Sequence, residues 1–442
     1  MEEILIKAGQ LFLSLAILIT LHELGHFVAA RIFGTRVEKF YLFFNPWFSI
    51  AKKKIGDTEY GLGWLPLGGY VKIAGMIDES MDKEQLKQPA QPWEFRAKPA
   101  WQRLIIMLGG IIVNLILGWF IYSMLLFSVG ESYIPAKSAA YGIMATDSTA
   151  LKIGLRNGDK IVSVGGEPIE KHQDVPIKIL LNDDRTIEVD RNGERVSIPV
   201  SDSHVKGIIA SQTGGFITER FPFVIAGFGD ASVAEKSGLK KDDQVIAVNG
   251  EPTFFFDEVR DALTRNKGDT IRVTALRGTD TVHQAVALGN DGLLGVFTKT
   301  SPDYFPVAVK EYTLAQSFPA GYHKAKKTLT DYIRQFKLIF NRDIEGYKHL
   351  GGFISIGKAF SPQWDWVNFW SFTAFLSIAL AFMNLLPIPA LDGGHVVFTL
   401  YEMVTRRKPN EKFLEYAQIA GMVILLSLMA YANGNDIVKL FR

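Results

Sequence analysis

Residues 11–30 read LFLSLAILITLHELGHFVAA. The apolar run Leu11 to Leu21 continues outward to about Ile4 and Ala30. This is close to the ~20 residues that a helix needs to cross a ~30 Å hydrocarbon core. The stretch therefore reads as a membrane span, yet His22, Glu23 and His26 sit inside it. Glu2 and Glu3 stand where a cleaved leader would carry basic residues, and no small-residue cleavage site follows, so the span is expected to be retained.

Three more stretches read the same way. One is RLIIMLGGIIVNLILGWFIYSMLLFSVG from Arg103 to Gly130; another lies between about Asn368 and Leu400, and the last between about Phe413 and Tyr431. The whole chain has 442 residues, 48% of them hydrophobic, and a formal charge of +2. Its mean hydropathy of +0.12 is high for a soluble protein of this length. The balanced charge gives no argument for nucleic acid as a partner. With no cysteine in the chain, disulfides, thiolate metal sites and cysteine nucleophiles are excluded.

Basic residues near the span ends set the expected orientation. Arg36, Lys39, Lys52, Lys53, Lys54, Arg96 and Lys98 lie between the first two spans, and Arg406, Arg407, Lys408 and Lys412 between the last two. Both loops are expected to face the cytoplasm, leaving the termini and residues 131–367 outside. Trp93, Trp101, Trp364, Trp366 and Trp370 flank the spans and suit anchoring at the lipid interface.

His22 and His26 are four residues apart, so on a helix they share a face and both imidazoles reach one zinc ion. Glu23 beside them is placed to take a proton from a water on that ion. With only 8 histidines in the chain, an H-E-x-x-H pattern arises by chance roughly once in a hundred such sequences. Each ionisable group inside a span costs at least ~2.5 kcal/mol, which a bound cation would offset. A polar cluster that merely paired helices would not need this spacing. Catalytic zinc takes three protein ligands and leaves a fourth position open. The best third candidate is Asp392, in NLLPIPALDGGH at 384–395. Pro387 and Pro389 interrupt a helix there, and Gly393 and Gly394 let the backbone bend. His395 is the rival.

The outside segment contains a repeat. GLRNGDKIVSVGGEP starts at Gly154, and GLKKDDQVIAVNGEP starts 84 residues later at Gly238. Each copy has an acidic turn, a β-branched strand and a Gly-Glu-Pro turn, which implies two successive small domains. The pattern resembles PDZ domains, at 131–212 and 220–300. Such domains accept an extended segment beside a strand; the alternative role is to shield or space the membrane part. Beyond them, Tyr312 to Leu350 carries apolar residues at helical spacing among lysines. An amphipathic helix over 311–350, lying along the membrane surface or packed on the repeat pair, is expected.

HELGH in the first span, NLLPIPALDGGH in the third and a PDZ repeat between the second and third spans together resemble the site-2 protease family, in its bacterial regulator-of-sigma-E form. The resemblance covers nearly the whole chain. It implies a polytopic α-helical membrane protein with four transmembrane helices, a membrane-associated β-hairpin and two external α+β PDZ domains. Residues 1–130 would hold the first two spans and 368–442 the last two. It implies His22, His26 and Asp392 as ligands of one catalytic zinc ion, Glu23 as general base and Asn384 as a residue that holds the substrate backbone. The implied substrates are single-span membrane proteins, especially anti-sigma factors after a first cut, and remnant signal peptides. The implied location is the bacterial inner membrane, with the active site toward the cytoplasm. Ala379 and Gly351-Gly352-Phe353 depart from positions common in relatives and bear on substrate preference more than on the metal set.

A substrate helix must also be opened before its bonds can be cut. Ile55 to Ile73, IGDTEYGLGWLPLGGYVKI, carries hairpin signals. Its strand near Gly61, Leu62, Gly63, Trp64 and Leu65 is expected to pair with unwound substrate by strand addition; the alternative is an ordinary loop hairpin. Two other function classes compete with a protease. A non-catalytic PDZ adaptor would have no need of Glu23, and a metal transporter would call for repeated ligands in symmetric halves.

Overall fold

The computed structural model describes residues 2–66, 68–76, 89–210, 216–230, 232–339, 341 and 344–441. The chain divides into two units, one made of 1–130, 311–337 and 347–442, the other of 131–310 and 338–346.

The first unit is built on long apolar helices. Helix α1 spans Glu2–Ile32, α2 Ala100–Val129, α3 Trp366–Leu385, α4 Asp392–Thr405 and α5 Glu411–Leu440. Among the described residues, four helices are long and apolar enough to cross a membrane: α1, α2, α3 and Lys412–Leu440 of α5. Helix α2 is the centre of the bundle, packing against α1, α3 and α4. Its contact with α1 is made backbone to backbone, because both helices present glycine there. A Cβ on Gly25 would lie 2.3 Å from the Gly109 carbonyl oxygen, so no larger residue fits without parting the helices. Helix α5, by contrast, is mostly exposed along its length.

The third apolar stretch is two helices rather than one. Pro387 and Pro389 withhold backbone N–H donors just past Leu385, and the chain turns before restarting at Asp392. The turn places Ala390 at φ 92°, and Gln418 of α5 accepts a hydrogen bond from its N–H at 3.1 Å.

Between α1 and α2 lies a four-stranded sheet of β1 (Val37–Leu42), β2 (Ala51–Ile55), β3 (Thr58–Leu62) and β4 (Tyr70–Ile73), in the order β2-β3-β1-β4. The Gly56-Asp57 turn does join a hairpin, β2 to β3. Strand β4 is not its continuation: β1 lies between, parallel to β3 and antiparallel to β4. The 55–73 stretch therefore does not fold as one hairpin.

The 311–350 stretch divides as well. One helix runs Leu314–Ile339, and Leu338 and Ile344 join a core of the second unit. The apolar face of that helix packs on the bundle. Trp119 Nε1 donates to the Phe318 carbonyl at 2.9 Å, and Tyr332 and Phe336 meet Phe382 edge-on.

The second unit holds two cores of similar build. In the first, strands 160–164, 167–168, 187–191 and 194–198 form one sheet; in the second, strands 244–248, 251–252, 270–277 and 280–287 do the same. Helices Val175–Leu181 and Phe256–Arg265 follow the corresponding strands. The repeated acidic turn has a common structural cause. Asp159 and Asp243 each accept the backbone N–H three residues earlier, at 2.8 Å, and each is gripped by an arginine, Arg191 or Arg277. Each arginine also donates to the carbonyl of the glycine that opens the motif, Gly154 or Gly238. Those glycines have φ 109° and 94°, where a side chain would be strained. Next to helix 256–265 runs a groove of about 650 Å³ bounded by Leu293, Gly295 and Phe297. Strand 296–298 pairs with 225–228 in a two-stranded sheet, and Phe297 is exposed.

Candidate metal centre

Helix α1 aims His22 and His26 at one point because they are one turn apart. The break before α4 brings Asp392 to the same point, 366 residues later in the chain. His22 Nε2 and His26 Nε2 are each 3.2 Å from Asp392 Oδ2 and 3.3 Å from one another. Both imidazoles are buried, and Asp392 Oδ2 is buried without a properly directed hydrogen bond.

This triangle fits a zinc ion on size. Four ligand atoms about 2.0–2.1 Å from a tetrahedral centre lie about 3.3–3.4 Å apart, and three corners of such a figure are present here. The donor set, two imidazoles and a carboxylate, is also one that zinc takes at catalytic sites. His395 is not in the cluster: it lines the adjoining cavity, while the group able to hold one ion among the described residues is His22, His26 and Asp392.

Helix α2 supports the imidazoles from beneath, through residues at i, i+4 and i+8. The Ile106 carbonyl oxygen is 2.9 Å from His26 Nδ1. A carbonyl only accepts, so Nδ1 carries the proton and Nε2 keeps its lone pair for a metal. Gly110 lies between: a Cβ there would sit 2.4 Å from His26 Nε2 and 2.6 Å from His22 Cε1. Asn114, fully buried, places its amide 3.1 Å from His22 Nδ1. From α3, Asn384 Nδ2 is 3.2 Å from His22 Nε2. The reading of the sequence picked out Asn384 and passed over Asn114. The available signal was a single amide within the apolar run IIVNLIL, where a polar group is costly.

A cavity of about 330 Å³ opens beside the triangle, lined by Glu23, Gly69, Tyr70, Val71, Asp392 and His395 among others. Glu23 receives a hydrogen bond from the Val71 backbone N–H. None of Gly61, Leu62, Gly63, Trp64 and Leu65 lines this cavity. Gly61 and Leu62 pair with β1 on one side and β2 on the other, and Leu65 bridges Phe44. The main chain of Gly61, Leu62, Gly63 and Leu65 is thus already engaged, whereas β4 forms an edge of the sheet and borders the cavity.

The model of peptidase family M50 matches residues 10–428, a span that includes every residue of the triangle. The chain belongs to peptidase family M50. This M50 protease is a zinc metalloprotease of the site-2 type and a multi-pass membrane protein. It is 28% identical to Protease RseP of Yersinia pestis over 473 aligned residues, covering 100% of both chains. It is 29% identical to a candidate zinc metalloprotease of Vibrio cholerae, again over 100% of each, and 28% identical to one of Neisseria meningitidis over 97% of this chain and 98% of that protein.

Proposed function

We propose that this protease cuts single-span membrane proteins within their transmembrane segments, using His22, His26 and Asp392 as zinc ligands and Glu23 as general base. The observation that carries the reading is the meeting of two imidazoles and a carboxylate inside apolar helices, beside a cavity that Glu23 lines. A zinc ion held by these residues would supply Lewis acidity, lowering the pKa of a water to about 7 and polarising a carbonyl. Glu23 accepts the proton of the attacking water and returns it to the leaving nitrogen, in the usual manner of a general base that becomes an acid. The Val71 N–H aims the Glu23 carboxylate toward the cavity. Asn384, beside His22, is placed to hold the substrate carbonyl or its backbone.

Substrate is held as a strand. A helical peptide hides its carbonyls in its own hydrogen bonds, so it must be unwound before attack. The edge of β4, rather than Gly61 and Leu62 with partners on both sides, is the free ladder nearest Glu23. The substrates in this reading are anti-sigma factors already trimmed outside and remnant signal peptides, in the bacterial inner membrane. The basic loops face the cytoplasm. The two α/β domains are PDZ domains at 131–212 and 220–300 on the outer side, where they exclude substrates with bulky external parts. The groove beside helix 256–265 favours peptide capture as a second role: strand 296–298 lies along it, with Phe297 exposed.

The test compares wild type, Glu23→Gln and His22→Ala for zinc content and for cleavage of a single-span reporter. Glu23→Gln is expected to keep one zinc and to lose cleavage by about 10²–10⁴-fold. His22→Ala is expected to lose both. A Glu23→Gln protein that still cuts at the wild-type rate removes Glu23 from the mechanism.

A further inference from the structure

The four-residue rhythm of α2 under the imidazoles gives the two histidines different kinds of support. His26 rests on a backbone carbonyl, which no substitution can remove. His22 rests on one side chain, Asn114, reached from a position 92 residues away in the chain. That side chain is fully buried, and its backbone carbonyl accepts a hydrogen bond from Ser377 Oγ of α3 at 2.7 Å. Helix α3 thus pins α2 at the level where Asn114 reaches His22.

The amide itself carries the decisive detail. Its Nδ2 points at His22 Nδ1, while its Oδ1 is buried with no hydrogen-bond partner. A histidine that offers Nε2 to a metal while neutral must carry its proton on Nδ1, and two N–H groups cannot bond one another. A half-turn of the amide about χ2 exchanges two groups of nearly the same shape. It gives the Nδ1–H an acceptor and satisfies the orphaned oxygen in one step.

We infer that Asn114 is the positioning residue that sets the tautomer of His22, accepting its Nδ1–H through Oδ1 and thereby fixing the affinity of the site for zinc. Asn114 acts through His22 and touches neither metal nor substrate. Outer partners of metal-bound histidines typically change metal affinity by about 10–100-fold when removed. The role explains why a polar side chain is kept within an apolar span, at a point where a helix-pairing contact alone would be met by any small residue. It rests on the assignment of His22 as a zinc ligand made above.

The experiment is a competition for zinc between the purified full-length protein in detergent and a soluble chelator. Wild type is compared with Asn114→Leu, Asn114→Asp and His22→Ala, with helix content and thermal unfolding followed in each. Aspartate matches asparagine in size and leucine keeps its branched outline, but only aspartate accepts a hydrogen bond. Asn114→Asp is expected to hold zinc at least as well as wild type, and Asn114→Leu to release it at about 10–100-fold lower chelator activity. Equal retention by wild type and Asn114→Leu overturns the inference. So does equal weakening of the leucine and aspartate variants, which would make Asn114 a packing residue. Wild-type retention by His22→Ala would remove the ligand assignment itself, and the positioning role with it.

Discussion

Arg277 holds Asp243 through Nε and Nη2, each at 2.8 Å from a different carboxylate oxygen, on a side chain with no exposure to solvent at its acidic end. Burial alone would raise the pKa of that carboxyl; the bonds from Arg277 and the Lys240 N–H outweigh it and hold the value below the ordinary one. Folding therefore favours the ionised form. The stabilisation is complete above the unfolded pKa of about 3.9 and is lost as pH falls through the lower folded value. Strands 270–277 and 280–287 are expected to lose hydrogen-exchange protection in that acid window. Asp243→Asn keeps the shape but cannot accept both charged bonds, and it is expected to cost about 1.5–3 kcal/mol at neutral pH. Protection of these strands that is unchanged in the variant would show that the pair adds nothing.

Gly110 sits beneath both imidazoles, and any Cβ there meets rings that have no room to retreat, since His26 is tied to Ile106 and His22 lies against Asn114. Gly110→Val is expected to lower bound zinc well below one per chain and to abolish cleavage. Gly118→Ala serves as the comparison. Its obstacles are the Ile378 side chain at 2.6 Å and the Ala374 carbonyl at 3.2 Å, both on α3 and away from the imidazoles, so zinc content should fall far less than in Gly110→Val. Metal analysis of the two purified variants decides the matter. Full zinc loading in Gly110→Val would mean that the helices separate more easily than the packing implies.

The convergence of His22, His26 and Asp392 was legible in the sequence because its signals are local. Two histidines one turn apart need only a helix to converge, and the prolines and glycines around Asp392 announce a break in the third apolar stretch. The repeated turns were legible for the same reason: Gly154 to Asp159 and Gly238 to Asp243 close within six residues. What stayed hidden depends on distant pairing. The insertion of β1 between β3 and β4 is a matter of register, and the alternating pattern of 55–73 fits a single hairpin equally well. Asn114 and Gly110 acquire meaning only once α2 is laid against α1. The helix at 314–339 has charge on one face and rings on the other, a pattern shared by helices that lie on lipid and helices that pack on a bundle.

The order of strands moves the site of substrate pairing, and with it the informative substitution. A proline at Leu62 would fall in an interior strand, paired on both sides, and would damage the sheet whatever its role in catalysis. Val71 is different. Its N–H points away from β1 toward Glu23, so proline there removes a donor at the free edge without breaking a ladder bond. To separate pairing from the support of Glu23, the substitution belongs in a Glu23→Ala background, where no side chain competes for the Val71 N–H and substrate is captured but not cut. Val71→Pro is expected to reduce crosslinking of a single-span substrate to the cavity by about tenfold, the loss of one or two main-chain hydrogen bonds at about 0.5–1.5 kcal/mol each, with zinc content unchanged. Undiminished crosslinking in the double variant would show that the substrate main chain does not add to β4, and that unwinding is held by Asn384 or by side chains alone.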